Sequence, residues 1–240
     1  MTLVRRDVIK AVDGLFATTV AGPIAYRVVC AIVDTSITPN QVTLVSRALL
    51  LAAALAASRG TLAGNLAAIV LLQVSFVLDM VDGQLARARR AGSPFGAFVD
   101  EFTDRVGEAV LYAGIAFGTA ATRASVWPLA FAALAVVLLR HVGDLVLAAR
   151  FAVDAEGERR LHSDGWITRS LRAAGVDESA QQGGWAAWLK KALWFSIGDR
   201  YLLLSVALLF QRPDLYFWII LLGAAPSYFG RLAQKAWRLH

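Results

Sequence analysis

The stretch that decides the reading is Leu78-Asp79-Met80-Val81-Asp82-Gly83-Gln84-Leu85-Ala86-Arg87, followed at fixed intervals by Gly96, Asp100 and Asp104. Asp79 and Asp82 are i and i+3, while Asp100 and Asp104 are i and i+4. On a helix each spacing puts both carboxylates on one face, about 5–6 Å apart. Upstream, Leu62 to Leu78 carries no charged residue, so the first pair closes an apolar run. A short connection links it to the second pair, which predicts two antiparallel neighbouring helices with all four acids at one depth. Four carboxylates so placed repel: at an effective dielectric of 20, each pair about 6 Å apart costs roughly 3 kcal/mol. They must hold protons or bind cations. A donor set made only of carboxylates suits hard ions such as Mg²⁺ or Mn²⁺, and two such ions suit phosphoryl transfer.

The surroundings of this stretch are those of a membrane protein. The 240 residues are 58% hydrophobic and only 18% charged, against about 25% charged in an ordinary soluble domain. Mean hydropathy is +0.56. Spanning helices need about 20 mostly apolar residues, and six can be placed: Val42–Ser58, Leu62–Leu78 (continuing as helix towards Arg87), Phe95–Gly118, Trp127–Ala149, Tyr201–Phe210 (beginning upstream, around Trp194) and Leu215–Gly230. The expected fold is therefore all-α: a single polytopic domain, 1–240, of six transmembrane helices. Residues 1–36, with Arg5, Arg6, Lys10 and Arg27 among apolar residues, read as an N-terminal amphipathic helix on the membrane surface. Residues 151–193 read as a polar cytoplasmic loop, with an interfacial helix near Trp185, Trp188, Lys190 and Lys191.

Charge gives the orientation. Net charge is +6, and the Lys and Arg residues gather in 1–40, 87–94, 150–200 and 231–240. By the positive-inside rule both termini and the aspartates face the cytoplasm. In this setting basic excess marks loops and anionic lipid and calls for no nucleic-acid partner. Cys30, the single cysteine, supports no internal disulfide. Trp127, Trp194, Tyr201, Tyr216 and Trp218 fall near span ends and read as an aromatic belt. Ala52, Ala53, Ala54, Ala56 and Ala57 make one side of the first span small enough for close helix packing or a dimer interface.

The spacing of Asp79, Asp82, Gly83, Ala86, Arg87, Gly96, Asp100 and Asp104 resembles the CDP-alcohol phosphotransferase family, whose pattern is D-x2-D-G-x2-A-R-x8-G-x3-D-x3-D. The resemblance implies transfer of a substituted phosphate from a CDP-alcohol donor to an acceptor alcohol, with release of CMP, by a homodimer carrying two divalent cations. It implies that Asp79, Asp82 and Asp100 ligate one ion and Asp79, Asp100 and Asp104 the other, with Asp104 also the general base. Gly83, Arg87 and Ser93 would contact the CDP-alcohol. So would Asn40, Gln41, Val42 and Thr43, from a Thr-Pro-Asn-x-x-Thr stretch.

The wording around Thr38–Thr43, Asp79–Arg87 and Phe95–Asp100 resembles inositol-phosphate-using members, namely phosphatidylinositol-phosphate and di-inositol-phosphate phosphate synthases. Such acceptors need cations from later spans. Arg140, with His141 and Asp144 in the fourth span, and Arg200 at the start of the fifth are the candidates. Read from the residues alone, Arg140 can equally pair with Asp144 at i+4, and Arg200 can mark a span boundary. His141 reads as a packed, hydrogen-bonded histidine. Glu101 and Glu108 add acid beside the motif. Alternatives are a phosphatidylglycerophosphate or other phospholipid synthase of the same family and, from another class, a cation transporter using the four aspartates.

Overall fold

The computed structural model describes residue 8 and residues 14–91, 94–123, 125–156, 196–226 and 228–230. Every element among them is helical. After a π-helical turn, Ala17–Ala21, come α1 (Gly22–Ile32), α2 (Pro39–Ala57), α3 (Leu62–Ala88), α4 (Pro94–Ala120), α5 (Val126–Glu156), α6 (Ile197–Leu209) and α7 (Pro213–Ile219), which continues as a π-helical turn, Ile220–Ala224. Three helices are long and apolar enough to cross a membrane: Pro39–Ala57, Leu62–Ala88 and Val126–Gly143.

Local chemistry starts these helices where they begin. Thr38 caps α2: its hydroxyl accepts the Gln41 N–H, the Gln41 side chain accepts the Thr38 N–H at 2.9 Å, and Pro39 supplies a first-turn residue needing no donor. Thr61 accepts the Gly64 N–H at the start of α3, and Ser196 the Asp199 N–H at the start of α6. Residues 151–156 are the last turns of α5 rather than the start of a loop, since Phe-Ala-Val-Asp-Ala-Glu156 holds no helix breaker before Gly157. The rest of the expected cytoplasmic loop lies outside the described residues, as does Trp194.

The helices close into a ring. In order around it, α3 packs on α2, α2 on α4, α4 on α5, α5 on α7, α7 on α6, and α6 on α3, with α1 laid against the outside of α3. This corrects the expectation that the two aspartate helices are direct neighbours: the main partner of α4 is α2. The reason is steric. A Cβ on Gly114 would come within 2.4 Å of the Ala54 carbonyl oxygen, and one on Gly118 within 2.2 Å of that of Ala57. Glycine lets the two backbones touch, and Ala53, Ala54 and Ala57 are buried in that seam. The small face of the first span is thus used within the chain.

The aromatic belt is half right. Trp127 and Trp218 are exposed, but Tyr201 and Tyr216 are buried at 3% and 0%. Tyr216 shares a 2.5 Å hydrogen bond with Tyr112, and the Tyr201 ring stands edge-on to Phe76. A phenol at a span end reads as interfacial only if its helix faces lipid there, and both of these face inward.

The N-terminal segment is anchored to the bundle. Ala25 and Val29 of α1 are buried against Val81, Leu85 and Ala88 of α3. The Asp199 carboxylate accepts the Phe16 N–H at 2.9 Å and the Leu15 N–H at 3.3 Å, a charge placed at a helix start. Arg89 donates to the carbonyls of Ile32, Val33, Thr35 and Ile37, which fastens the connector leading into Thr38. At the opposite end of the bundle Asp214 pairs with Arg123 and Arg212. Burial pushes the Asp214 carboxyl up, but the bonds to these two guanidinium groups outweigh it and hold the carboxyl below its ordinary value.

Candidate active site

Asp79 and Asp82 leave the C-terminal half of α3, and Asp100 and Asp104 the N-terminal half of α4. Both helices pack on α2, so the acids meet across it. Carboxylate oxygens of Asp79, Asp82 and Asp100 all lie within 4.8 Å of one another, a spacing that suits one hard cation. Asp104 is outside that trio. Its Oδ1 lies 2.5 Å from Nη1 of Arg47 on α2, whose Nη2 reaches Asp79 at 2.5 Å and Asp100 at 2.9 Å. Arg47 therefore bridges Asp79, Asp100 and Asp104, the three residues that the resemblance assigns to a second ion. Four aspartates and one arginine leave a formal charge of −3, so the donor set still calls for cations.

Arg47 is the residue that the sequence reading missed. The signal was available: it is the one ionisable residue between Pro39 and Ala57, and a cation inside an apolar span ordinarily has a purpose. It sits one turn after Thr43, on the same face. Replacing Arg47 with Met leaves the acids without their internal counter-charge. The metal-free protein then loses about 2 kcal/mol, and Mg²⁺ raises the melting temperature by about 4–8 °C more than it does in the wild type. Thermal unfolding in detergent, with chelator and with Mg²⁺, measures this. An equal metal-induced rise in both proteins would mean that Arg47 is no counter-ion.

The other expected residues fall into three groups. Thr43 joins the acids, its hydroxyl donating to Asp82 Oδ2 at 2.6 Å. Gln41 is engaged in the helix cap, Asn40 is exposed beside it, and Val42 is buried against α1 and α3. Gly83 and Arg87 act as a pair: a Cβ on Gly83 would come within 3.3 Å of Arg87 Nη1, so glycine lets the guanidinium fold back along α3. Arg87 Nε also donates to the Val8 carbonyl at 2.7 Å. Ser93 lies outside the described residues.

Two further acids flank Asp104, Glu101 before it and Glu108 one turn after it, and each is matched. Arg105 lies 3.1 Å from Glu101 and 3.1 Å from Glu108, and His141 Nε2 is 3.2 Å from Glu101. Arg200 Nη2 meets Glu108 Oε1 at 2.7 Å, with both side chains buried. Arg140 lies over the Tyr228 ring, 4.4 Å from its centroid, a cation–π contact. Of the two cations expected on the acceptor side, Arg200 is buried and paired with Glu108, and Arg140 is half-buried. The Asp144 side chain lies outside the described residues.

Helical carboxylates gathered for hard cations, a threonine on one of them and an arginine among them make a site for polyanionic phosphate chemistry. In keeping with it, residues 36–176 match the family model for CDP-alcohol phosphatidyltransferase. That segment is more than half of the chain, which belongs to this family. Among curated proteins, an 89-residue segment (36% of this chain) is 43% identical to a bifunctional IPC transferase and DIPP synthase of Rubrobacter xylanophilus, covering 19% of it. Over 82 residues (34% of this chain) identity is 40% to an archaetidylinositol phosphate synthase of Pyrococcus horikoshii, 42% of which is covered. Over 117 residues (49% of this chain) it is 36% to a bifunctional IPC transferase and DIPP synthase of Thermococcus kodakarensis, 26% of which is covered. The matches thus span less than half of each relative's length.

Proposed function

We propose that this protein transfers a substituted phosphate from a CDP-alcohol to an acceptor alcohol bearing inositol or inositol phosphate, releasing CMP. The observation that carries this is the meeting of Asp79, Asp82 and Asp100 within 4.8 Å, inside a motif whose eight fixed positions are all present. The inositol assignment rests on the printed names of the relatives above.

Two ions, Mg²⁺ or Mn²⁺, would be held by Asp79, Asp82, Asp100 and Asp104. Bound there, such ions neutralise the donor pyrophosphate and polarise the phosphoryl group. The chain's own residues do the rest. Gly83 and Arg87, with Asn40, Gln41, Val42, Thr43 and Ser93, bind the nucleotide end of the donor. Asp104 takes the proton of the acceptor hydroxyl, whose oxygen attacks the β-phosphorus as the bond to CMP breaks. Arg200 and Arg140 border the acceptor side. Positioning and charge neutralisation carry such chemistry further than base strength does.

The membrane arrangement belongs to the same reading. A single domain, 1–240, crosses the bilayer six times; residues 1–36 lie along the membrane surface; the loop after Glu156, both termini and the site face the cytoplasm; and two copies form a homodimer. The test is CMP release by purified protein in detergent with Mg²⁺ or Mn²⁺. CDP-diacylglycerol and CDP-inositol would each be offered with inositol 1-phosphate, inositol, glycerol 3-phosphate and serine. The expected result is metal-dependent release from an inositol-containing pair, lost in Asp100→Ala. Release with glycerol 3-phosphate alone would make it a phosphatidylglycerophosphate-type enzyme. Metal-dependent ion flux without CMP would put it in another class.

A further inference from the structure

Tyr201 carries a buried polar group that nothing in the fold uses. Its side chain is 3% exposed, and its hydroxyl has no hydrogen-bond partner among the described residues. Burying a hydroxyl without a partner costs about 1–3 kcal/mol, so phenylalanine at this position would give a more stable bundle. The rest of the residue is well anchored. The ring stands edge-on to Phe76, 5.9 Å between centroids, and the Tyr201 carbonyl accepts from Gln73 Nε2 and Ser205 Oγ. Gly198 leaves room for the Phe76 ring, where a Cβ would come within 2.5 Å of it. Ring and backbone are therefore held by other groups, and the hydroxyl alone is unaccounted for.

The surroundings of that hydroxyl are informative. The preceding residue, Arg200, is bonded to Glu108, one turn past Asp104, and the Tyr201 ring abuts Phe76, one turn before Asp79. The phenol thus belongs to the flank of the site that Asp79, Asp104 and Glu108 border. On this flank the cations are already matched: Arg200 and Arg105 by Glu108, Arg105 and His141 by Glu101. A neutral hydroxyl that can donate and accept beside carboxylates complements another hydroxyl better than it does a phosphate.

Resting on the function proposed above, we infer that Tyr201 is a positioning residue for the acceptor: its hydroxyl hydrogen-bonds the acceptor alcohol beside Asp104 and fixes the angle at which that oxygen approaches the donor.

Tyr201→Phe tests this directly, because it deletes only an atom that makes no bond in the protein. The melting temperature should stay level or rise. With the acceptor that the wild type uses, kcat/KM for the acceptor should fall about tenfold, the effect of one lost hydrogen bond, while KM for the CDP-alcohol stays within twofold. An acceptor kcat/KM within twofold of wild type overturns the inference, and so does a lower melting temperature with donor and acceptor constants worsened alike, which is the mark of a packing role. If the wild type releases no CMP from any pair, the proposed function falls and this inference falls with it.

Discussion

Asp104→Asn will turn over about 10²–10⁴ times more slowly than the wild type, the usual range for a lost general base, and will keep its fold. The geometry makes this substitution mild for structure. Asp104 Oδ1 is held by Arg47 at 2.5 Å, but Arg47 also holds Asp79 and Asp100, so it stays in place when one of three partners loses its charge. The second contact, Asp104 to Arg105, is already long at 3.8 Å, and Arg105 retains Glu101 and Glu108. Asparagine matches the size of the side chain and removes the capacity to take a proton. Single-turnover CMP release with saturating donor and acceptor isolates that step. Full turnover would remove Asp104 as the base. Loss of turnover that excess Mg²⁺ restores would make it a metal ligand and nothing more. Because Asp79, Asp82 and Asp100 form the tight trio without Asp104, metal dependence should be kept.

Much of this site was legible in the sequence because helical spacing is a short-range rule. Asp79 with Asp82, and Asp100 with Asp104, needed only the period of a helix, and the apolar run before Asp79 located the end of a span. Thr43 was pointed to by the family resemblance alone; the structure adds the cap, Thr38 with Gln41, that sets it one turn into a helix. What escaped was whatever depends on which helix stands next to which. The sequence distance from Asp82 to Asp100 suggested that α3 and α4 touch, whereas the glycines of α4 at 114 and 118 draw it onto α2. That choice brings Arg47 between the acids. The same ignorance of neighbours turned Tyr201 and Tyr216 into interface residues, although both helices face inward there. Arg200 was visible as a cation at the start of a span, but its partner, Glu108, lies 92 positions away.

That partner sets the largest expected stability effect. Glu108 and Arg200 are 0% and 2% exposed, with Nη2 and Oε1 2.7 Å apart, and Tyr112 donates to the same oxygen at 3.4 Å. Removing one member of a buried ion pair strands the other charge and costs about 3–5 kcal/mol. Glu108→Leu should therefore lower the melting temperature by roughly 6–20 °C for a chain of this size. The remaining bonds do not rescue it: Arg105 falls back on Glu101, and Tyr112 keeps Tyr216, but Arg200 stays buried beside tyrosines without its counter-charge. Adding Arg200→Met removes that stranded charge, and the double variant should recover most of the loss, since apolar replacement of a buried pair is often neutral or better. The cycle separates two roles for Arg200. Recovery of both stability and acceptor turnover would make the pair a fold element that leaves acceptor recognition to Asp104 and Tyr201. Recovery of stability with acceptor turnover still lost would return Arg200 to the acceptor. An unchanged melting temperature in Glu108→Leu alone would show that the guanidinium is not confined by Glu108 and can move to meet a ligand.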